Sequence, residues 1–98
     1  MKVEVLDLAE RDLEDGYRFY ERQSPGVGDY FLDSLCAEID SLALYAGIHR
    51  IFFGYHRLLA RKFPHAVYYK VVGNVAQVWA VVDCRRDPEW IRQKLPPA

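Results

Sequence analysis

Residues 63–90 read FPHAVYYKVVGNVAQVWAVVDCRRDPEW. Two alternating apolar runs, 66–72 and 75–82, flank the dipeptide Gly73-Asn74. A two-residue loop that begins with Gly is a hairpin signal, because Gly supplies the positive φ such turns need. Pairing the strands through that turn sets Val72 opposite Val75, Lys70 opposite Gln77 and Tyr68 opposite Trp79. One face then holds Val67, Tyr69, Val71, Ala76, Val78, Ala80 and Val82 and reads as core. The other carries Tyr68, Lys70, Gln77 and Trp79, and it is the face on which function is expected.

Upstream, residues 57–63 read as another strand of the same sheet. The expected register places Arg61 opposite Tyr68, sends Leu58 and Ala60 to the core side, and adds Arg57 and Arg61 to the outer face. Residues 2–6 alternate and read as a short first strand. Asp7 and Glu10 fit a capping box, followed by Leu13, Tyr17 and Tyr20 on one helical stripe. Ser24-Pro25-Gly26 ends that helix. A second helix is expected over 27–45, with Phe31, Leu35, Ile39 and Leu42 inward, antiparallel to the first. Asp87-Pro88-Glu89 opens a last short helix, with an N-cap acid, Pro at the first helical position and an acid in the first turn. Residues 47–54 carry no readable pattern. The expected fold is α+β, in the order β-α-α-β-β-β-α: a mainly antiparallel four-stranded sheet with an antiparallel helix pair on one face, a short C-terminal helix, and the other face open. Residues 1–98 are expected to form one domain.

Net charge is −1, yet it is segregated. Residues 1–48 hold eleven acids and four bases, a net −7; residues 49–98 hold nine bases and three acids, a net +6. A basic sheet half suits an anionic partner, although two solvated faces would read the same way. No apolar run reaches membrane-spanning length and the first residues lack a signal-peptide core, so a cytoplasmic, non-membrane protein is expected. Cys36 falls in the helical apolar pattern and reads as a small core residue. Cys84 stands beside Arg85 and Arg86, which would lower a thiol pKa. His49, His56 and His65 have no ligand spacing, so neither a metal nor another cofactor is expected.

The outer face gathers Arg57, Arg61, Tyr68, Lys70 and Trp79, the combination that grips anions and stacks on flat groups. The alternative is a polar sheet face with Trp79 tucked under the last helix. Arg85-Arg86 before a helix start would favour an anion, unless one of them pairs with Asp83 or Asp87.

The order of elements and two stretches, RKFPHAVYYKV at 61–71 and VWAVVDCRRDP at 78–88, together resemble the RelE/ParE superfamily of toxins from bacterial type II toxin–antitoxin operons, in its ParE-like branch. That resemblance implies growth inhibition, plasmid stabilisation, and neutralisation by a cognate antitoxin with an acidic amphipathic tail. Homodimers or heterotetramers with antitoxin are the implied assemblies. ParE-like members poison DNA gyrase; RelE-like members instead cut mRNA on the ribosome. A third outcome is an inactive homologue that only binds antitoxin. By position Arg85 resembles the basic residue that ends the last strand in the nucleases. Ala66 falls where they carry an arginine, and the final helix has no Tyr. The resemblance therefore favours binding over catalysis, with no catalytic residue assigned. Arg85, Arg86 and Trp90 are the expected target contacts; Arg57, Arg61, Tyr68, Lys70 and Trp79 are the expected antitoxin contacts.

Overall fold

The computed structural model describes residues 1–97. In chain order they form β1 (Lys2–Val5), α1 (Asp7–Gln23), α2 (Val27–Asp40), α3 (Leu42–Tyr45), β2 (Ile51–Phe52), β3 (Tyr55–Leu59), β4 (His65–Val72), β5 (Val75–Asp83) and α4 (Pro88–Lys94). The sheet has five strands in the order β1-β5-β4-β3-β2, with β1 parallel to β5 and every other pair antiparallel. It therefore holds one strand more than the four expected. The extra strand, β2, lies in the segment without a pattern. Its turn to β3 needs left-handed backbone at both Phe53 (φ 59°) and Gly54 (φ 85°). Such turns are usually announced by Asn-Gly, and Phe hides the signal.

The two N-terminal helices pair as expected, but Asp7 is already inside α1: Leu6 is the cap residue and no side chain caps it. The second helix breaks at Ser41, whose hydroxyl donates to the Glu38 carbonyl at 2.6 Å. Phe31, Leu35, Ile39 and Leu42 are buried against Val67, Tyr69, Val78 and Val81 of the sheet. Cys36 points outward from α2, contrary to its expected core position, because the buried stripe passes through Leu35 and Ile39 on either side.

The β4–β5 hairpin keeps its expected register near the turn, with Val72 opposite Val75 and Lys70 opposite Gln77. A bulge then intervenes. Tyr69 faces Val78 while Tyr68 faces Ala80, so Trp79 is the extra residue and not the partner of Tyr68. A single inserted residue reverses the alternation beyond it. Val81 turns to the helix pair, whereas Ala80 and Val82 turn to the opposite face with Ala66 and Tyr68. On the other side of β4, Arg57 and not Arg61 stands opposite Tyr68. The four-residue displacement preserves facing, so Leu58 and Ala60 still pack on the helix side.

The face expected to be open is largely covered. Ile91 and Leu95, four apart on and just beyond α4, bury against Tyr55, Ala66, Tyr68, Ala80 and Val82. Burying two such aliphatic side chains contributes roughly 3–6 kcal/mol, enough to seat a seven-residue helix that would not hold alone. Two polar ties fix it. The Tyr55 hydroxyl donates to the Pro96 carbonyl at 2.5 Å, and the Lys94 ammonium reaches Asp12 of α1 at 2.6 Å.

Candidate partner and target surfaces

Beyond β5, Asp87 caps α4 by accepting the Glu89 N–H at 3.3 Å, with Pro88 in the first turn, as the sequence indicates. Trp90 and Lys94, four apart, share one side of α4, and Arg86 reaches the same ring from the turn before the helix. Trp90 is 40% exposed. The Arg86 guanidinium lies 4.5 Å and the Lys94 ammonium 5.7 Å from its ring centroid. The result is an aromatic surface with a cation at either end.

Arg85 is not part of that surface. Its guanidinium grips Asp83 through Nε at 2.9 Å and Nη2 at 2.6 Å, and its backbone N–H donates to the same carboxylate at 2.9 Å. Chiefly through the Arg85 side chain, the Asp83 carboxyl is pushed down to about 2. The tight turn after β5 thus neutralises one of the two arginines expected to meet the target.

The expected partner contacts divide in the same way. Lys70 projects over two rings, 4.7 Å from that of Tyr55 and 5.3 Å from that of Trp79. Trp79 is half-buried beside Tyr55, and its indole N–H is enclosed without an acceptor. Arg57 stacks 3.7 Å over Phe52. Tyr68, by contrast, is 2% exposed: it serves as floor beneath α4 and not as an outer contact. Arg61 lies outside the sheet altogether. Its backbone N–H donates to the Glu38 carboxylate at 2.8 Å and its guanidinium approaches the other oxygen at 3.5 Å, beside α2. The strand ends at Leu59, four residues earlier than the sequence pattern implied.

Cys84 is exposed as a residue, yet its thiol is partly screened from water, and that desolvation is the main cause of a pKa raised above the ordinary thiol value. Arg57 nearby acts in the opposite direction but does not prevail. His65 packs among Tyr20, Phe31 and Phe63 on the helix side, and burial lowers its pKa. Among the described residues, no three His, Cys, Asp or Glu side chains gather as metal ligands. No helix among them is long and apolar enough to cross a membrane.

Sequence reasoning missed Tyr55, Phe52 and Lys94. The aromatic run Phe52-Phe53-Gly54-Tyr55 around a glycine was a signal for the first two. The spacing of Trp90 to Lys94 was a signal for the third.

Residues 3–88 match the family described as ParE toxin of type II toxin-antitoxin system, parDE. The chain belongs to the ParE toxin family. A solved structure described as "Chromosomal ParDE TA system from P. aeruginosa" shares the toxin fold, with TM-score 0.78 at 19% identity over 85% of this chain and 95% of that one. No curated protein sequence matches this ParE-family toxin. The family match stops at Pro88, so the exposed Trp90 and the partly buried Lys94 of this toxin lie beyond it.

Proposed function

We propose that this ParE-family toxin arrests growth by gripping a macromolecule, that the target is DNA gyrase, and that a cognate antitoxin neutralises it in the cytoplasm. The observation that carries this reading is the exposed indole of Trp90 with the Arg86 guanidinium, unpaired among the described residues, against it, while Lys94 on its other side is tied to Asp12. Trp and Arg dominate binding energy at protein interfaces, since a large flat ring and a planar cation lose little conformational freedom on contact.

The chemistry available points the same way. Cleaving RNA needs an acid, a base and a cation free to meet developing charge. Here Arg85 is occupied by Asp83. Ala66 is buried beneath α4, where a nuclease of the superfamily would need an arginine. For the antitoxin, Lys70 over Tyr55 and Trp79, with Arg57 over Phe52, suits an acidic tail carrying apolar side chains.

The test is expression of the toxin and of an Arg86→Ala, Trp90→Ala double variant. The native chain is expected to produce filamentous cells, accumulate cleaved gyrase–DNA complexes and copurify with gyrase. The double variant should lose all three, while its melting temperature and antitoxin binding stay close to those of the parent. Undiminished toxicity of the variant would remove α4 from the target surface. Cut mRNA and prompt translation arrest from the native chain would replace gyrase with the ribosome.

A further inference from the structure

A cavity of about 300 Å³ opens between the β2–β3 turn and α4, lined chiefly by Phe52, Phe53, Arg57, Tyr68, Cys84 and Arg86. No carboxylate lines it: Asp83 is turned to Arg85, and Asp87, between the lining residues Arg86 and Pro88, accepts the Glu89 N–H at the start of α4. Among the described residues, neither Arg57 nor Arg86 takes part in an ion pair. Each is instead backed by a ring, Arg57 by Phe52 at 3.7 Å and Arg86 by Trp90 at 4.5 Å. A guanidinium stacked on a ring keeps in-plane N–H groups available for an acceptor, although Arg57 shares part of that edge with the Tyr68 hydroxyl.

The walls add a second observation. Phe53 holds φ 59°, a left-handed backbone that a bulky residue rarely adopts and that is retained where something compensates for it. Its ring lies 6.3 Å from that of Tyr68, so the strained turn presents an aromatic wall beside the Tyr68 floor. Burial raises the Tyr68 pKa, so its phenol stays protonated at neutral pH.

We infer that this chamber binds a small phosphate monoester carrying a planar ring. Two unpaired guanidinium groups balance the roughly −1.5 to −2 charge of such a phosphate near neutral pH. The Phe52, Phe53 and Tyr68 rings supply apolar walls for the ring of the ligand. The volume sits at the lower end of the roughly 300–1,000 Å³ typical of small-molecule sites, too small for a folded partner. The site shares Arg86 with the α4 surface, but it stands whether or not that surface engages gyrase.

Cys84 provides the readout, because its thiol lines the chamber while Cys36 lies on the outer side of α2. In a Cys36→Ser background, the rate of Cys84 alkylation is measured with adenosine monophosphate, inorganic phosphate or adenosine, and affinities are checked by calorimetry. The monophosphate should slow alkylation severalfold in a saturable way, phosphate should do so only at higher concentration, and adenosine should not. Arg57→Gln should weaken the monophosphate at least tenfold, about the effect of losing one charge-assisted contact, with Arg57→Lys intermediate. Circular dichroism confirms that each variant folds. An alkylation rate indifferent to the monophosphate, or protection that persists in Arg57→Gln, would overturn the site. Equal protection by phosphate or by adenosine would overturn the ligand class.

Discussion

Gly16 lies inside α1, where replacing Gly by Ala ordinarily stabilises a helix by about 1 kcal/mol. Here the outcome should reverse. A Cβ on Gly16 would stand 2.5 Å from Cε2 and Cζ of Phe31, about 1 Å inside the favourable carbon–carbon separation. Phe31 is fully buried and cannot retreat: the rings of Tyr20, Phe63 and His65 lie 5.0, 5.2 and 5.0 Å from it. Overpacking of this kind costs roughly 1–3 kcal/mol. Set against the propensity gain, Gly16→Ala should destabilise by up to about 2 kcal/mol, which lowers the melting temperature of a chain this size by up to roughly 16 °C. Thermal and urea unfolding followed by circular dichroism measure it. A double-mutant cycle locates the cause, since Phe31→Leu should cost less in the Gly16→Ala background than in the parent. A Gly16→Ala protein that melts higher than its parent, with an unchanged cost for Phe31→Leu, would refute the close helix crossing.

Two further outcomes follow from the ion pairs. Lys94→Met strands Asp12, whose side chain is 9% exposed and retains only the Val81 N–H, and should cost roughly 1–3 kcal/mol at neutral pH in urea unfolding. Burial already raises the Asp12 pKa, so the folded state favours the protonated acid; the deficit should shrink as pH falls through the carboxyl range, and one that grows in acid would contradict the placement. Asp83 is the opposite case, held at about 2 against an ordinary 3.8, so its contribution is present above pH 3.8 and is lost as pH falls through about 2. Arg85→Gln should move its carboxyl carbon titration back toward 3.8 and close the stability gap to the parent in that window; an unmoved NMR titration would show that Arg85 is not the cause.

Much of the architecture was legible because it rests on local periodicity. Phe31, Leu35, Ile39 and Leu42 specify the inner stripe of the second helix, Gly73-Asn74 the main hairpin, and Asp87-Pro88-Glu89 the start of α4. The grouping of the expected outer-face residues was legible only in part. Lys70 and Trp79 do share a face, whereas Tyr68 is buried beneath α4 and Arg61 lies beside α2. The pairing of Arg61 was misread because an alternating pattern defines which residues share a face but leaves the slide of one strand along another undetermined.

By itself the sequence determined the order of the main elements, most of the helix-facing aliphatic side, the charge segregation and the membership in the toxin family, but not β2 or the facing of Ala80 and Val82. Only the tertiary structure decided which side chains surround which. Trp79 became a bulge because Tyr68 pairs with Ala80, and that single extra residue turned Ala80 and Val82 away from the helices. Those small side chains then offered Ile91 and Leu95 a second apolar floor, which closed the supposedly open face. Arg85 was claimed by Asp83, and Arg86 was left to the ring of Trp90. The reason is physical: periodicity is a property of neighbours along the chain, whereas a bulge, a covering helix and a choice between two carboxylates depend on free-energy differences among residues brought together only by folding.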